Sequence, residues 1–301
     1  MKKKIVMILV VAVAGVCLFG CGADTKDDSV VSQEDVAVIL REESAALAQT
    51  AEGLMSETEQ ITVEESVMEE VLPVPEILIT PIEEVWYTED GTQVLLTSTY
   101  CKAEVVNEGF ETLAQALDEW SGLVYSEVLA MSEEYASWAA ENYSLAENPE
   151  NFVEFFTDLS YGAQRVDDVV VSFSGGQDAY VGGAHGLYSY TGYTFDVETG
   201  EMISLDRLIA DDEGFQEAAI EHICKILESE PYVSSVYEDY ESILRGMFAQ
   251  DGYISWYLSD EGIVIPFNPY EVGPYIMPEL RVVLPYEEYA QYMAIKYRPN
   301  E

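Results

Sequence analysis

The sequence predicts an α+β fold, with antiparallel sheets, helices packed on one face, and two consecutive small subdomains. Three observations lead there. Asp90-Gly91 sits between the apolar runs Val85-Trp86-Tyr87 and Val94-Leu95-Leu96, the pattern of a hairpin whose turn needs positive φ. From Phe110 to Trp138 apolar residues recur every three or four positions, which makes one long amphipathic helix. After Val166, short apolar runs return between Gly and Asp residues. Strands, helices and strands again along the chain suggest helices segregated on one side of antiparallel sheet.

The elements follow in order. The second strand of the hairpin continues to about Val106. Asn107 is a good N-cap for the long helix, with Glu108 and Glu111 in its first turn. Leu113, Leu117, Trp120, Val124, Val128, Met131 and Tyr135 complete the stripe to Trp138. Asn148-Pro149 ends it, and a short helix through Phe152, Phe155 and Phe156 is expected next. Strands are expected over 166–173, 179–181 and 187–197, with Gly175-Gly176 and Gly182-Gly183 as turn or bulge signals. Ser204 caps a short turn at 205–209. Two amphipathic helices follow at 215–227 and 236–248, then a hairpin of 253–258 and 263–267 across Asp260-Glu261-Gly262. A last strand at 280–284 and a short helix at 287–293 close the chain.

The N-terminal third is different. Met1-Lys2-Lys3-Lys4 is basic, Ile5 to Phe19 is apolar, and Gly20-Cys21 follows. The apolar run is too short for an ordinary spanning helix. The segment resembles a bacterial lipobox, with Phe19 where a small or β-branched residue is usual. That resemblance implies cleavage after residue 20, a diacylglyceryl thioether on Cys21, and a lipid-anchored protein on the extracytoplasmic face of a bacterial cell membrane. An uncleaved anchor or a plain secretory signal are the competing readings. Residues 21–81 read as an acidic disordered tether: Gly22 to Glu84 holds 17 acids and 2 bases and no aromatic residue. Such a composition buries too little apolar surface to offset ordering entropy, and its like charges extend it. The tether is a spacer or an acidic partner-binding arm. The subdomains are then expected at 82–176 and 177–301.

Composition bounds the partners. The 301 residues carry 57 acids against 13 bases, a formal net charge of -44. Nucleic acid is excluded as a partner class, because phosphate binding needs clustered Lys and Arg. The chain as a whole is still rich enough in apolar (49%) and aromatic (12%) residues to build a core.

A wider resemblance rests on Val181-Gly182-Gly183-Ala184-His185-Gly186, the strand Tyr190 to Phe195, Asp196-Val197-Glu198-Thr199-Gly200-Glu201 and Ser204-Leu205-Asp206-Arg207-Leu208. Phe267-Asn268-Pro269-Tyr270-Glu271 and Pro285-Tyr286-Glu287-Glu288-Tyr289 extend it. Together these residues resemble the RsiV-like C-terminal extracytoplasmic domain family, a module also found beside the deacetylase domain of PdaC. A small β-rich domain usually precedes it, and residues 82 to about 175 are similar to that partner. The resemblance implies a binding or sensing module at the cell envelope, with a basic protein such as lysozyme as one partner. It implies no signalling role here, since RsiV also needs a cytoplasmic sigma-binding segment and a spanning helix. It carries no deacetylase chemistry either, because that metal site needs spaced His residues and only His185 and His222 occur.

No catalytic constellation, metal site or cofactor is expected. Two lone His and unpaired Cys match no zinc spacing. Ser174-Gly175-Gly176 lacks the pattern of a nucleophile elbow. Paired carboxylates such as Asp167-Asp168 and Asp211-Asp212 are common in so acidic a chain, and neither acidic loop has EF-hand spacing. Loose calcium binding to the acidic surface stays open. The candidate binding residues are His185, between glycines, and the clustered Tyr188, Tyr190 and Tyr193. His185 either contacts a ligand or fixes its turn through ring hydrogen bonds, and His222 reads as a packing residue. The tyrosines suit a protein interface or a sugar-stacking surface of peptidoglycan type, or simply fill a Tyr-rich sheet. Cys101 and Cys224 form an interdomain disulfide or serve as small buried hydrophobes.

Overall fold

The computed structural model describes residues 2–7 and 73–299. Residues 8–72, which include Cys21 and most of the expected leader and tether, lie outside the described residues. Six strands lie side by side in chain order in one sheet: β1 (Lys2–Met7), β2 (Ile77–Tyr87), β3 (Val94–Val105), β4 (Phe155–Val166), β5 (Val170–Tyr180) and β6 (Leu187–Asp196). A second sheet holds β7 (Tyr257–Leu258), β8 (Gly262–Phe267) and β9 (Leu280–Pro285). The helices are α1 (Glu111–Leu145), α2 (Leu205–Leu208), α3 (Asp212–Leu227), α4 (Tyr240–Phe248) and α5 (Tyr286–Tyr289). The class is α+β.

The first hairpin forms where Asp90-Gly91 predicts it, with Gly91 at φ 77. Strand β2 starts at Ile77, well before the expected Val85 and inside the stretch expected to be tether, because Ile77 and Ile79 find a place under α1 beside Val105. The backbone of Lys2–Met7 pairs antiparallel with Ile82–Tyr87. Asn107 is not the helix cap. Its side chain accepts from the Glu76 N–H (2.8 Å) and donates to the Val74 carbonyl (2.9 Å), tying down the start of β2.

Helix α1 buries Leu113, Leu117 and Trp120 as the stripe predicts. Farther along, the buried face turns to small residues, Ser132, Ala136 and Ala139, while Trp138 is exposed. The sheet approaches closely there: Ser132 and Ser98 share a 2.9 Å hydrogen bond, and only small side chains fit. Trp120 anchors the other half, with ring centroids at 4.9 Å from both Tyr161 and Tyr193 and 5.3 Å from Phe195.

Two expectations about the sheet are corrected. The β3–α1–β4 crossover brings β4 back parallel to β3, so the sheet is mixed; a connection of that length permits what a tight turn forbids. Strand β4 also begins at Phe155, where a helix was expected, after a short 3-10 turn at Pro149–Asn151. Gly175 and Gly176 lie inside β5, not in a turn. A Cβ on Gly175 would stand 2.8 Å from Thr191 Cγ2 and 3.0 Å from the Tyr161 ring. The expected subdomain border at 176/177 therefore cuts through a strand, and β5 pairs with β6 along its length. Gly182 and Gly183 do form a turn, at φ 91 and 95.

The second sheet covers part of the face opposite α1. Its outer side, Ile263, Ile265, Val282 and Leu284, packs with Phe215, Ile223 and Leu227 of α3 and Leu244 of α4. Its inner side meets β5 and β6 at one end: Ser172 and Thr194 hydroxyls lie 2.7 Å apart, and the Leu258 N–H donates to Ser172 Oγ at 2.8 Å. Gly192 makes this possible, since a Cβ there would sit 2.0 Å from the Trp256 carbonyl oxygen.

Asp196 ends β6 fully buried. Its carboxylate accepts from the Glu198 and Thr199 N–H groups (3.1 and 3.0 Å) and the Tyr297 hydroxyl (3.0 Å), and pairs with Lys296 at 2.8 Å. Burial alone would raise its pKa, but the Lys296, Thr199 and Tyr297 hydrogen bonds outweigh that and hold it below the ordinary carboxylate value. Cys101 and Cys224 are both free and half-buried.

Two predictions follow from this packing. Gly192→Ala should cost about 2–3 kcal/mol, because backbone must move to admit the methyl group; an unchanged thermal midpoint would refute the close approach of the sheets. For Asp196, the unfolded chain binds the proton more readily than the folded one. The stabilisation is thus present above an ordinary carboxylate pKa of about 4 and is lost as pH falls through the lower folded value. Thermal midpoints measured across that acid range should fall more steeply for the native chain than for Asp196→Asn, which itself should be about 2 kcal/mol less stable at neutral pH.

Candidate functional site

Where the sheets part, they leave a groove of about 800 Å³. Period-2 alternation assigns its floor. Phe156, Asp158 and Ser160 of β4 and Ser174, Gly176 and Asp178 of β5 line it, while the intervening residues face α1. The floor is therefore small and polar, with two carboxylates. Asp158 and Asp178 stand directly opposite each other in the antiparallel register. Burial lifts the Asp158 carboxyl above its ordinary value; a Ser160 hydrogen bond pulls it partly back, and the charge of Asp178 pushes it further up. Neither carboxylate has an ion-pair partner among the described residues.

One wall is aromatic. Tyr188 and Tyr190 project from β6, with ring centroids 5.7 Å apart, and Tyr275 stands 5.2 Å from Tyr188. His185 stacks on Tyr275 at 4.2 Å, and Tyr270 flanks Tyr275 at 6.1 Å. Arg281, the only base among the described residues that line the groove, lies 4.7 Å over the Tyr190 ring and pairs with Glu279.

Hydrogen bonds set this wall in place. The Gly186 carbonyl accepts from His185 Nδ1 at 2.7 Å and from the Tyr275 hydroxyl at 3.1 Å. The Tyr190 N–H donates to Asn268 Oδ1 at 2.6 Å, and Asn268 is itself gripped by Glu271, whose Oε2 accepts from the Asn268 N–H at 2.7 Å. Burial raises the Glu271 pKa, against the two Asn268 hydrogen bonds that lower it.

The candidates from the sequence divide. Tyr188 and Tyr190 line the groove. His185 stands behind Tyr275, fixing its loop and supporting a ring of the wall. Tyr193 is on the opposite face, an odd number of residues from Tyr190, and belongs to the Trp120 cluster. His222 is half-buried against Tyr289. Asp158, Asp178, Tyr275 and Asn268 were missed. The signal for the two carboxylates was their near-symmetry about the Asp167-Asp168 turn, hidden by reading Gly175-Gly176 as the turn. Among the described residues, no group of three or more His, Cys, Asp or Glu could hold a metal ion, and no helix is long and apolar enough to cross a membrane.

Comparison with known proteins gives one family-model match in the C-terminal part and wider matches of fold. Residues 208–287 match the family model described as "Protein of unknown function (DUF3298)". The match spans 80 of the 301 residues, a little over a quarter of the chain. A DUF3298 family member from Bacteroides fragilis matches with a TM-score of 0.55 and 17% identity over 74% of this chain and 94% of its own. A DUF3298 family protein from Pseudomonas aeruginosa PAO1 matches with a TM-score of 0.51 and 14% identity over 76% of this chain and 99% of its own. At these identities the likeness is one of fold. No curated protein matches. The DUF3298 match covers β7 to β9, α3, α4 and Asn268, Tyr275 and Arg281 of the groove; the floor and Tyr188 and Tyr190 come from outside it.

Asn268→Ala should loosen β6 at Tyr190 while sparing the core. The expected readout is faster amide exchange at Tyr190 with a thermal midpoint lowered by only a few degrees; unchanged exchange there would remove Asn268 from the positioning role.

Proposed function

We propose that the chain is a lipid-anchored, extracytoplasmic binding module of the bacterial cell envelope, and that its groove binds a glycan strand of peptidoglycan type rather than catalysing a reaction. The observation that carries this reading is the run of rings Tyr275–Tyr188–Tyr190 along one wall above a floor of hydroxyls and carboxylates. Tyr rings present large, rigid apolar faces at small entropic cost and keep a hydroxyl for hydrogen bonding. A sugar ring has the complementary form, an apolar face and a polar rim. The floor's Ser160, Ser174, Asp158 and Asp178 supply donors and acceptors for that rim. The lipid on Cys21 and the acidic tether belong to the same reading: they hold the body on a membrane and away from its anionic surface, and the cleavage that frees Cys21 takes β1 with it, leaving β2–β6 as the sheet and the groove untouched.

A basic protein such as lysozyme is the second reading, and the charge of -44 favours it. Such a field speeds encounter with any cationic protein and fades with salt.

Calorimetry separates the two. The full chain, freed of lipid, is titrated with soluble peptidoglycan fragments, with a C-type lysozyme and with cytochrome c as a basic control, at low salt and at about 150 mM, where the Debye length is about 8 Å. The glycan reading expects salt-tolerant binding of the fragments that falls about 30-fold in Tyr188→Ala/Tyr190→Ala, the loss of hot-spot contacts. Salt-tolerant binding of lysozyme alone, absent for cytochrome c, would replace it with the protein reading.

A further inference from the structure

We infer that the groove selects a cationic sugar: an oligomer of amino sugars with free 2-amino groups, in preference to its N-acetylated counterpart. The inference rests on the glycan reading and adds to it the charge of the ligand.

The argument starts from the floor. Two carboxylates placed directly across an antiparallel pair repel each other, and Asp158↔Asp178 is such a pair. A few carboxylates elsewhere in this acidic chain are paired with bases: Asp196 with Lys296, Asp118 with Lys102, Glu217 with Arg245. Among the described residues, the two on the groove floor are not. The one base of the lining, Arg281, is engaged by Glu279 and the Tyr190 ring on the wall. The floor therefore has room and negative charge for a cation that no base among the described residues provides.

The wall sets the cation's shape. A metal ion would want further oxygen ligands in a closed shell; beside the two carboxylates the floor offers only the Ser160 and Ser174 hydroxyls, and among the described residues no third acidic, His or Cys side chain joins them. Gly162 and Gly176 keep the floor low, with no side chain above the backbone, so a ring can lie over it. A ligand that stacks on Tyr188 and Tyr190 and lowers an ammonium between Asp158 and Asp178 satisfies both surfaces at once. An aminoglycan does this with a single unit: its ring faces the tyrosines and its 2-ammonium group points down. An acetamide at that position carries no charge, adds bulk over the floor, and leaves the two carboxylates unrelieved. Charge-assisted hydrogen bonds of this type correspond to about a tenfold or greater gain in affinity.

The test is calorimetry of the full chain, freed of lipid, with a glucosamine oligomer and with its fully N-acetylated counterpart, at slightly acidic pH and about 150 mM salt. The native chain should prefer the glucosamine oligomer by about tenfold or more. Asp158→Asn/Asp178→Asn should erase the preference and bring both oligomers to similar affinity. Glu133→Gln/Glu134→Gln, which removes two exposed charges on α1, should leave it intact. Equal affinity of the native chain for both oligomers would overturn the inference while leaving the glycan reading standing. An equal loss of preference in the α1 variant would overturn it too, by reducing the effect to bulk charge. No binding of either oligomer would overturn both. Circular dichroism of each variant confirms folding. Should the double variant fail to fold, Asp178→Asn alone, at the more exposed position, is expected to weaken the preference, and an undiminished preference there would overturn the inference.

Discussion

The groove exists because two sheets touch at one end and part at the other, and the touching end depends on a missing side chain. At Gly192 the backbone of β6 meets the Trp256 carbonyl so closely that a Cβ would lie 2.0 Å from its oxygen. Beside it, Ser172 and Thr194 replace apolar contacts with a hydroxyl pair that also satisfies the Leu258 N–H. Buried polar groups are tolerated there because each has a partner. From this pivot the faces diverge, and the polar floor of β4 and β5 opens to solvent between them.

A second set of contacts fixes the angle of that divergence. Buried Arg165 of β4 pairs with Asp167 at 2.7 Å and donates to the Tyr286 hydroxyl and the Tyr297 carbonyl. The Tyr286 hydroxyl in turn donates to the Ser259 carbonyl at 2.9 Å. With Asp196 and Tyr297, these bonds join the end of the large sheet to the small sheet and the last described turn. Geometric specificity of this kind costs desolvation but admits few alternatives.

Much of this architecture was legible in the sequence, and the failures have physical causes. The first hairpin and α1 are written locally, in Asp90-Gly91 and in the Phe110 to Trp120 stripe. The later half of α1 misleads, because burial there follows a close sheet rather than large side chains, and Ala136 and Ala139 carry no periodic signal. Gly175-Gly176 reads as punctuation but serves the packing of Thr191 and Tyr161, a contact between strands invisible from either one alone. The parallel β3–β4 pair is a tertiary fact. For the groove, alternation alone places Tyr188 and Tyr190 together and Tyr193 apart. Tyr275, Asp158 and Asp178 join them only once register and sheet order are known.

Tyr270 holds φ at 71, a left-handed conformation that a bulky side chain adopts only under strain of about 1–3 kcal/mol, and its ring is 59% exposed beside Tyr275. Glycine would sit there with ease. A laboratory selection for heat resistance alone would therefore drift toward replacing Tyr270 with glycine.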